Sequence, residues 1–157
     1  MKPTQIEIRG LKELERNLIK LQKEYGGKAG AMAIRPAVTA ALKPLEQRIL
    51  ETTPVDEGTL RDSVKRRVGA VTRDMRAFSP SKYKSTTVIA GRVGYWGKRV
   101  YKRAVSMEYG TVNVAARHTL RDAFDAEANG MARVFGEKLG PAIEKTAKAL
   151  HRKQTRG

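Results

Sequence analysis

The chain has 157 residues, 40% of them hydrophobic, which suffices for one domain with a modest core. It contains no cysteine, which excludes disulfides, a thiol nucleophile and a thiolate-bound metal. No apolar run reaches the roughly 18 residues that a membrane-spanning helix needs, and the N-terminus lacks the apolar core of a signal peptide. We therefore expect a protein with no membrane partner that is made and folded in a cytoplasm.

Basic side chains dominate the composition and are concentrated in the middle of the chain. Lys and Arg number 32 against 16 Asp and Glu, a net charge of +16. Residues 61–103 carry +11 of this excess, whereas residues 1–60 carry +2 and residues 104–157 carry +3. Five of the nine aromatic residues lie in the same central segment, namely Phe78, Tyr83, Tyr95, Trp96 and Tyr101. Such a one-signed field favours a polyanionic partner, either nucleic acid or an acidic protein surface.

The N-terminal third predicts one strand and two helices. Polar and apolar residues alternate over residues 5–9, which is typical of a half-buried strand. Leucines then recur at spacings of three and four, which predicts a helix to about Glu24 with one apolar face. A second helix is expected from about residue 28 to residue 52, with a bend near Pro44 or a late start near Arg35. Thr53 and Pro54 end it, and residues 56–58 are expected to form a turn.

The rest of the chain predicts a sheet followed by a long helix. From Leu60 to Tyr95 the pattern is β-like: residues 63–71 and 86–95 are strand candidates, and residues 73–85 between them are expected to be a long exposed loop or the tip of a long hairpin. Residues 100–109 could be a helix or a strand. A helix is predicted from Thr119, in two pieces that meet at Gly140-Pro141, with a basic tail at residues 151–157.

These elements predict the α+β class. We expect one domain over residues 1–150, with a mixed or antiparallel sheet and a long basic hairpin packed on two N-terminal helices and a long C-terminal helix.

No residue set predicts catalysis, a metal site or a cofactor. The two histidines, His118 and His151, are too far apart for a zinc motif, and no glycine-rich phosphate loop is present. The remaining candidates are the carboxylates Asp56 and Asp62, the pair Glu108 and His118, and the hydroxyls of Ser63 and Thr111. Turn or capping roles explain the acids more simply, and neither hydroxyl has a base nearby in sequence. We therefore expect a protein that is not an enzyme.

Nucleic-acid binding has better support from the residues. Basic side chains interleaved with aromatics over residues 61–103 can follow a phosphate backbone. No zinc-finger, helix-turn-helix or RNA-recognition signature accompanies them. The same charges also suit a solvated or protein-contacting face, so both interpretations stay open.

Three blocks of sequence follow one another in a characteristic order. The first is Gly10-Leu11-Lys12-Glu13-Leu14, the second is TPVDEGTLRDSV at residues 53–64, and the third is MEYGT at residues 107–111 with ARHTLRDAFD at residues 116–125. Together they resemble the tail-completion, or head–tail joining, family of long-tailed bacteriophages and prophages. That family's patterns are Gly-Leu-x-x-Leu, Ala-Pro-Val-Asp-Thr-Gly-x-Leu-Arg-x-Ser-Ile, and Glu-Tyr/Phe-Gly-Thr followed by Ala-Arg-Pro-Phe-Leu-Arg-Pro-Ala-Phe. His118-Thr119 replaces the family's Pro-Phe, and Asp122 replaces its second proline.

The resemblance implies a non-enzymatic structural protein of the virion, located in the neck at the head-proximal end of the tail and made in the cytoplasm of the host bacterium. Its implied partners are its own copies in a ring around the DNA channel, expected to be a hexamer, together with tail-tube and head-connector proteins and the DNA in the channel. The alternative is a small basic nucleic-acid-binding protein with no virion role.

Two sets of residues are expected to serve these contacts. The subunit interface is expected to contain Val55, Asp56, Gly58, Leu60, Glu108, Tyr109, Gly110 and Thr111. A basic face towards an acidic partner ring or the DNA is expected to contain Lys65, Arg66, Arg67, Arg73, Arg76, Lys82, Lys84, Arg92, Lys98 and Arg99.

Overall fold

A computed structural model describes residues 10–55, 59–82 and 89–156. Within these ranges the chain forms seven helices and two strands. In chain order they are α1 (Leu11–Tyr25), α2 (Gly27–Ala41), α3 (Lys43–Thr52), α4 (Thr59–Asp62), β1 (Val64–Ala70), α5 (Arg73–Phe78), β2 (Ile89–Tyr95), α6 (Tyr101–Tyr109) and α7 (Thr119–Gln154). The strand predicted at residues 5–9, the turn at residues 56–58 and the first residues of the second predicted strand lie outside the described residues.

The chain divides into two compact units. The first draws on Met1–Ala41, Val68–Gly91 and Ala132–Gly157, and the second on Leu42–Arg67 and Arg92–Met131. β1, β2 and α7 contribute residues to both units. β1 and β2 form a two-stranded antiparallel sheet, which together with the N-terminal helices and the long last helix confirms the predicted α+β class.

Leucines and alanines at helical spacing build the core of the first unit. Leu21 of α1 is buried there against Ala33 and Ala37 of α2, and α7 contributes Leu139 and Ile143. The alanines matter because short side chains allow neighbouring backbones to approach closely. Leu14 and Leu18 are partly buried against the same cluster, so the apolar face predicted for the first helix packs in this core.

The predicted second helix is two helices, and their break is near Pro44 as expected. α2 ends at Ala41, and α3 begins at Lys43 with Pro44 in its first turn. A proline in that position loses little, because the amides of a first helical turn have no partner within the helix. The late start near Arg35 is not observed, since α2 begins at Gly27 and contains Pro36.

The core of the second unit lies between the sheet, α3 and α7. Leu45 and Ile49 of α3 pack in one buried cluster with Val64 of β1 and with Ala123 and Met131 of α7. Ile49 is 1% exposed. In β1, Val64 is buried while Lys65 and Arg67 are exposed. This alternation is typical of an antiparallel strand with one buried face.

Three local predictions need correction. Residues 59–62, expected to start a β-like region, form the single helical turn α4, so Leu60 reaches the core from a helix. Part of the predicted loop at residues 73–85 is the helix α5, whose N-terminus is capped because Thr72 Oγ1 accepts a hydrogen bond from Met75 N at 3.3 Å.

The segment at residues 100–109, for which helix and strand were both open, contains the helix α6.

The third correction concerns the C-terminal helix. Two pieces that meet at Gly140-Pro141 were predicted, but α7 is one helix of 36 residues that continues through Pro141. Leu139 and Ile143 flank the proline, and both are buried in the core of the first unit. Their burial favours an uninterrupted helix more strongly than the proline disfavours it.

Replacing Ile49 by alanine tests the core of the second unit. We expect Ile49→Ala to lower the free energy of unfolding by about 2–5 kcal/mol, because the vacated volume cannot be refilled by neighbours on several elements. Ile19→Ala is the matched control, since Ile19 of α1 is 44% exposed and its truncation should cost less than about 1 kcal/mol. Denaturant unfolding measures both, and equal losses would contradict the assignment of Ile49 to the core.

Candidate functional site

Glu108 holds the start of α7. Its side chain lies at the end of α6 and is 7% exposed. Oε2 accepts a hydrogen bond from the backbone amide of Leu120 at 2.8 Å, and Oε1 accepts one from Arg121 at 3.2 Å. These amides lie in the first turn of α7, where no carbonyl of the helix can satisfy them and where the helix dipole favours a negative charge. Glu108 is therefore the cap of a helix that begins eleven residues further along the chain.

Gly110 allows the chain to leave α6 at this point. Its φ of 78° lies in the left-handed region that favours glycine, and its amide donates to Ser106 O at 2.8 Å. A Cβ at this position would lie 2.8 Å from the Ala116 amide nitrogen, so only glycine fits the close approach. Thr111 and Val114 then form an isolated antiparallel bridge.

The residue before α7 also departs from ordinary backbone geometry. His118 has a φ of 50°, and its carbonyl accepts the Asp122 amide at 2.8 Å in the first turn of α7. Proline, which the resembled family has in this position, cannot adopt a positive φ because its ring holds φ near −65°. A proline could not adopt the backbone conformation that His118 has at the start of α7, so the residue at this position has to differ from the family's proline.

The second block is anchored by buried hydroxyl groups. Thr53 Oγ1 donates to Ile49 O and lies 2.8 Å from the hydroxyl of Tyr95. Because the single hydroxyl proton of Thr53 is used, Tyr95 donates to it, and burial raises the pKa of Tyr95 and keeps this phenol protonated. Ser63 Oγ donates to Leu60 O at 2.6 Å. The Thr53 bonds tie the start of the block to α3 and β2, whereas the Ser63 bond holds its end against α4.

The residues predicted for the interface divide into buried and exposed sets. Leu60 packs with Val100 and Met107 in a buried cluster, so the second and third blocks lie side by side. Leu60 and Glu108 are buried within the chain, whereas Val55, Tyr109 and Thr111 are exposed. Asp56 and Gly58 lie outside the described residues.

A groove joins the two blocks. Its volume is about 200 Å³, and it is lined by Pro54, Leu60, Arg103, Ser106, Met107, Val114, Ala115 and Arg117. Val114, which lines it, is 55% exposed, and Val55 and Val112 are exposed residues close to Pro54 and Val114 in the chain. An apolar rim around an open groove is a typical feature of a protein-binding surface.

The structure places the predicted basic residues in two groups. Lys65, Arg66, Arg67, Arg92, Lys98 and Arg99 belong to the second unit, whereas Arg73, Arg76 and Lys82 belong to the first. Lys84 lies outside the described residues. Arg66 differs from its neighbours in β1, because its guanidinium lies 3.5 Å from Glu46 Oε2 and its amide donates to Glu46 Oε1 at 3.1 Å.

Trp96 is a central residue of the basic group that sequence reasoning did not assign to a site. The Cζ of Arg67 lies 3.9 Å from the centroid of its ring, and the Cζ of Arg92 lies 5.4 Å from it. Its Nε1 donates to Lys65 O at 3.0 Å. The clustering of aromatic and basic residues signalled this segment, but the contact itself depends on the pairing of β1 with β2.

Two of the groups considered for catalysis, the Glu108 carboxylate and the Ser63 hydroxyl, have structural roles. The Glu108 carboxylate binds backbone amides, and the buried Nδ1 of His118 has no hydrogen-bond partner within the described residues. The Ser63 hydroxyl binds a backbone carbonyl. In the described ranges, no group of three or more His, Asp and Glu side chains could hold a metal ion, and no helix there is both long and apolar enough to cross a bilayer.

Removing the Glu108 carboxylate tests its role as the cap of α7. We expect Glu108→Ala to lower the free energy of unfolding by about 1–3 kcal/mol, because two amides lose their acceptor in a buried place. Glu108→Gln should cost less, since one oxygen remains to accept. Glu137→Ala is the control, because Glu137 is exposed on α7 and faces Arg133 at 4.0 Å, a contact worth at most about 0.5 kcal/mol. Denaturant unfolding of all three variants provides the comparison, and a Glu108→Ala variant as stable as wild type would refute the cap.

A protein-family model matches residues 12–110, and its description is "Bacteriophage HK97-gp10, putative tail-component". The match contains the whole second block and the Glu108-Tyr109-Gly110 part of the third, and it ends before the segment in which His118, Thr119 and Asp122 depart from the resembled pattern. No curated protein and no solved structure matches the chain. The matched region covers more than half of the sequence, and the chain belongs to the HK97-gp10-like family of phage tail components.

Proposed function

We propose that this tail component completes the phage tail and joins it to the head connector, as a homo-oligomeric ring around the DNA channel. The observation that carries the proposal is the family match over residues 12–110, because it contains the second block and the start of the third, which the structure brings together around Leu60 and Met107. In this proposal the protein acts by assembly and without catalysis, in the neck of the virion, and the ring is a hexamer.

The groove and its rim support the proposal of a ring. Val114 lines a groove that also reaches Pro54 and Leu60, and Tyr109 and Val112 expose apolar surface in the same part of the chain. A ring contact that covered these side chains would remove apolar area from water, at about 25 cal/mol per Å². Leu60 and Glu108 contribute from beneath this surface, because they hold Met107 and the start of α7 in place.

The basic group supports contact with a polyanion in the same assembly. Lys65, Arg67, Arg92, Lys98 and Arg99 are exposed side chains of the second unit. Both an acidic partner ring and channel DNA meet the electrostatic requirement. Membership of a tail-component family argues against the alternative of a nucleic-acid-binding protein without a virion role.

Electron microscopy of a phage with a stop codon in this gene tests the joining role. We expect DNA-filled heads beside finished but unattached tails, because heads and tails assemble separately and lack the connecting ring. Wild-type protein supplied from a plasmid is the control and should restore joined virions. Intact joined virions from a lysate that lacks the protein would reject the role.

Polar substitutions on the groove rim test the subunit interface. We expect Tyr109→Ser combined with Val112→Ser to leave the melting temperature within a few degrees of wild type, since both side chains are exposed. The same variant should fail to restore joining to the stop-codon phage, because interface anchors are aromatic and apolar. Phe78→Ser is the control, since Phe78 is equally exposed on α5 and outside the groove. Full restoration by the double variant would remove this surface from the interface.

A further inference from the structure

Trp96 lies on the exposed face of the sheet with two arginines around it. Its ring is held by the hydrogen bond from Nε1 to Lys65 O, at 3.0 Å. The guanidinium carbons of Arg67 and Arg92 lie 3.9 and 5.4 Å from the ring centroid. Both arginines are exposed, and Trp96 is half-buried. The cluster therefore combines a fixed aromatic ring with two cations that remain accessible.

The pairing of the strands explains why the two arginines meet. The amide of Trp96 donates to Ser63 O at 2.9 Å, and the antiparallel register set by this bond places Arg67 opposite Arg92. Like charges directly opposite each other destabilise a strand pair. Neither arginine forms an ion pair within the described residues, so the indole ring alone among their described contacts offsets the repulsion.

A guanidinium that stacks on an indole keeps its binding capacity. The stacking uses the face of the guanidinium plane, whereas its N–H donors point outwards along the plane. Those donors match two oxygens of a phosphate or a carboxylate. Trp96 restricts the rotamers of both arginines, so less conformational entropy is lost when an anion binds.

The surroundings of the cluster favour a continuous polyanion. Lys65, Lys98 and Arg99 line an open depression of about 410 Å³ together with Trp96, and Asp62 is the carboxylate among its lining residues. Trp96 therefore has the two arginines at its ring and three further cations around the depression that it lines. A DNA strand presents one phosphate for each 3.4 Å or so of duplex axis, and a row of cations can bind several of them at once without reading the bases.

We propose that Arg67 and Arg92 bind phosphates of a DNA backbone and that Trp96 is the residue that positions them. The assignment deepens the proposed function and rests on it for the source of the DNA, which is the DNA that passes through the ring. Lys65, Lys98 and Arg99 extend the same site. Binding is independent of sequence, because every contact is to phosphate.

Fluorescence and anisotropy titrations with a mixed-sequence duplex of about 30 base pairs test the site on the full-length protein. Trp96 is the single tryptophan of the chain, so its emission should change on binding. We expect Arg67→Gln and Arg92→Gln each to weaken binding about tenfold, as a lost charge-assisted contact does, and to reduce the slope of log K against log salt by about 1. Arg48→Gln is the matched control, since Arg48 is an exposed arginine of α3 outside the cluster, and it should change binding less than about twofold.

Two Trp96 variants separate positioning from charge. Trp96→Leu retains every cation, so we expect weaker binding of labelled DNA with an unchanged salt slope, whereas Trp96→Phe should restore much of the affinity because a phenyl ring also attracts cations. If Trp96→Leu unfolds, the two arginine variants decide the question. Wild-type affinity in both arginine variants would overturn the proposal.

Competition by poly-glutamate identifies the class of polyanion. We expect DNA to displace the labelled duplex at a much lower concentration of charge than poly-glutamate does, and equal displacement would assign the site to an acidic protein surface instead. The outcome is independent of the stop-codon experiment. Joined virions without this protein would reject the ring, whereas wild-type DNA affinity in both arginine variants, with joining still dependent on the protein, would reject only the phosphate site.

Discussion

The carboxylate of Glu108 caps α7, and much of the fold depends on that contact. α7 carries Ala123 and Met131 into the core of the second unit and Leu139 and Ile143 into the core of the first. The position at which this helix begins therefore decides which of its residues face each core. Glu108 fixes the start through two backbone amides, and the bond from Arg117 N to Met107 O at 2.8 Å closes the connecting segment against α6. A buried acid is stable there because its charge is met by hydrogen-bond donors and by the helix dipole.

The blocks that resemble the phage family thus have a physical basis. Glu108 caps a helix, Gly110 permits a positive φ at a close approach, and Leu60 fills a cluster with Met107. These residues stabilise the local fold. The exposed residues in the same segments, Tyr109, Val112 and Val114, are the ones that we propose to contact a neighbouring subunit. Burial of these residues and exposure of the segments around them are therefore complementary, because the exposed surface keeps its shape only while the residues below it are packed.

On the basic face, a residue that stabilises the fold and a residue that is accessible for binding are neighbours in one strand. Arg66 points towards Glu46 and is satisfied within the chain, whereas Arg67, the next residue of the strand, is exposed beside Arg92 and Trp96. Alternation along a strand separates the two roles, since neighbouring side chains point to opposite faces. Two arginines held together with no carboxylate paired to them among the described residues cost stability in the free protein. An anionic partner would relieve that cost when it binds.

Several features were determined by the sequence itself. The leucine periodicity of α1, the break near Pro44, the strand β1 and the concentration of positive charge all depend on local spacing or on composition, and the ordered blocks indicated the family. The continuity of α7 through Pro141, the helix α5 and the helical state of residues 101–109 were decided by burial and capping, which local periodicity does not contain. The candidate site divides in the same way: composition predicted a basic face, but only the strand register placed Arg67 and Arg92 around Trp96, and only the folded chain brought Glu108 to the first turn of α7. Contacts between residues distant in sequence depend on which surfaces pack together, and the packing of the whole chain decides that.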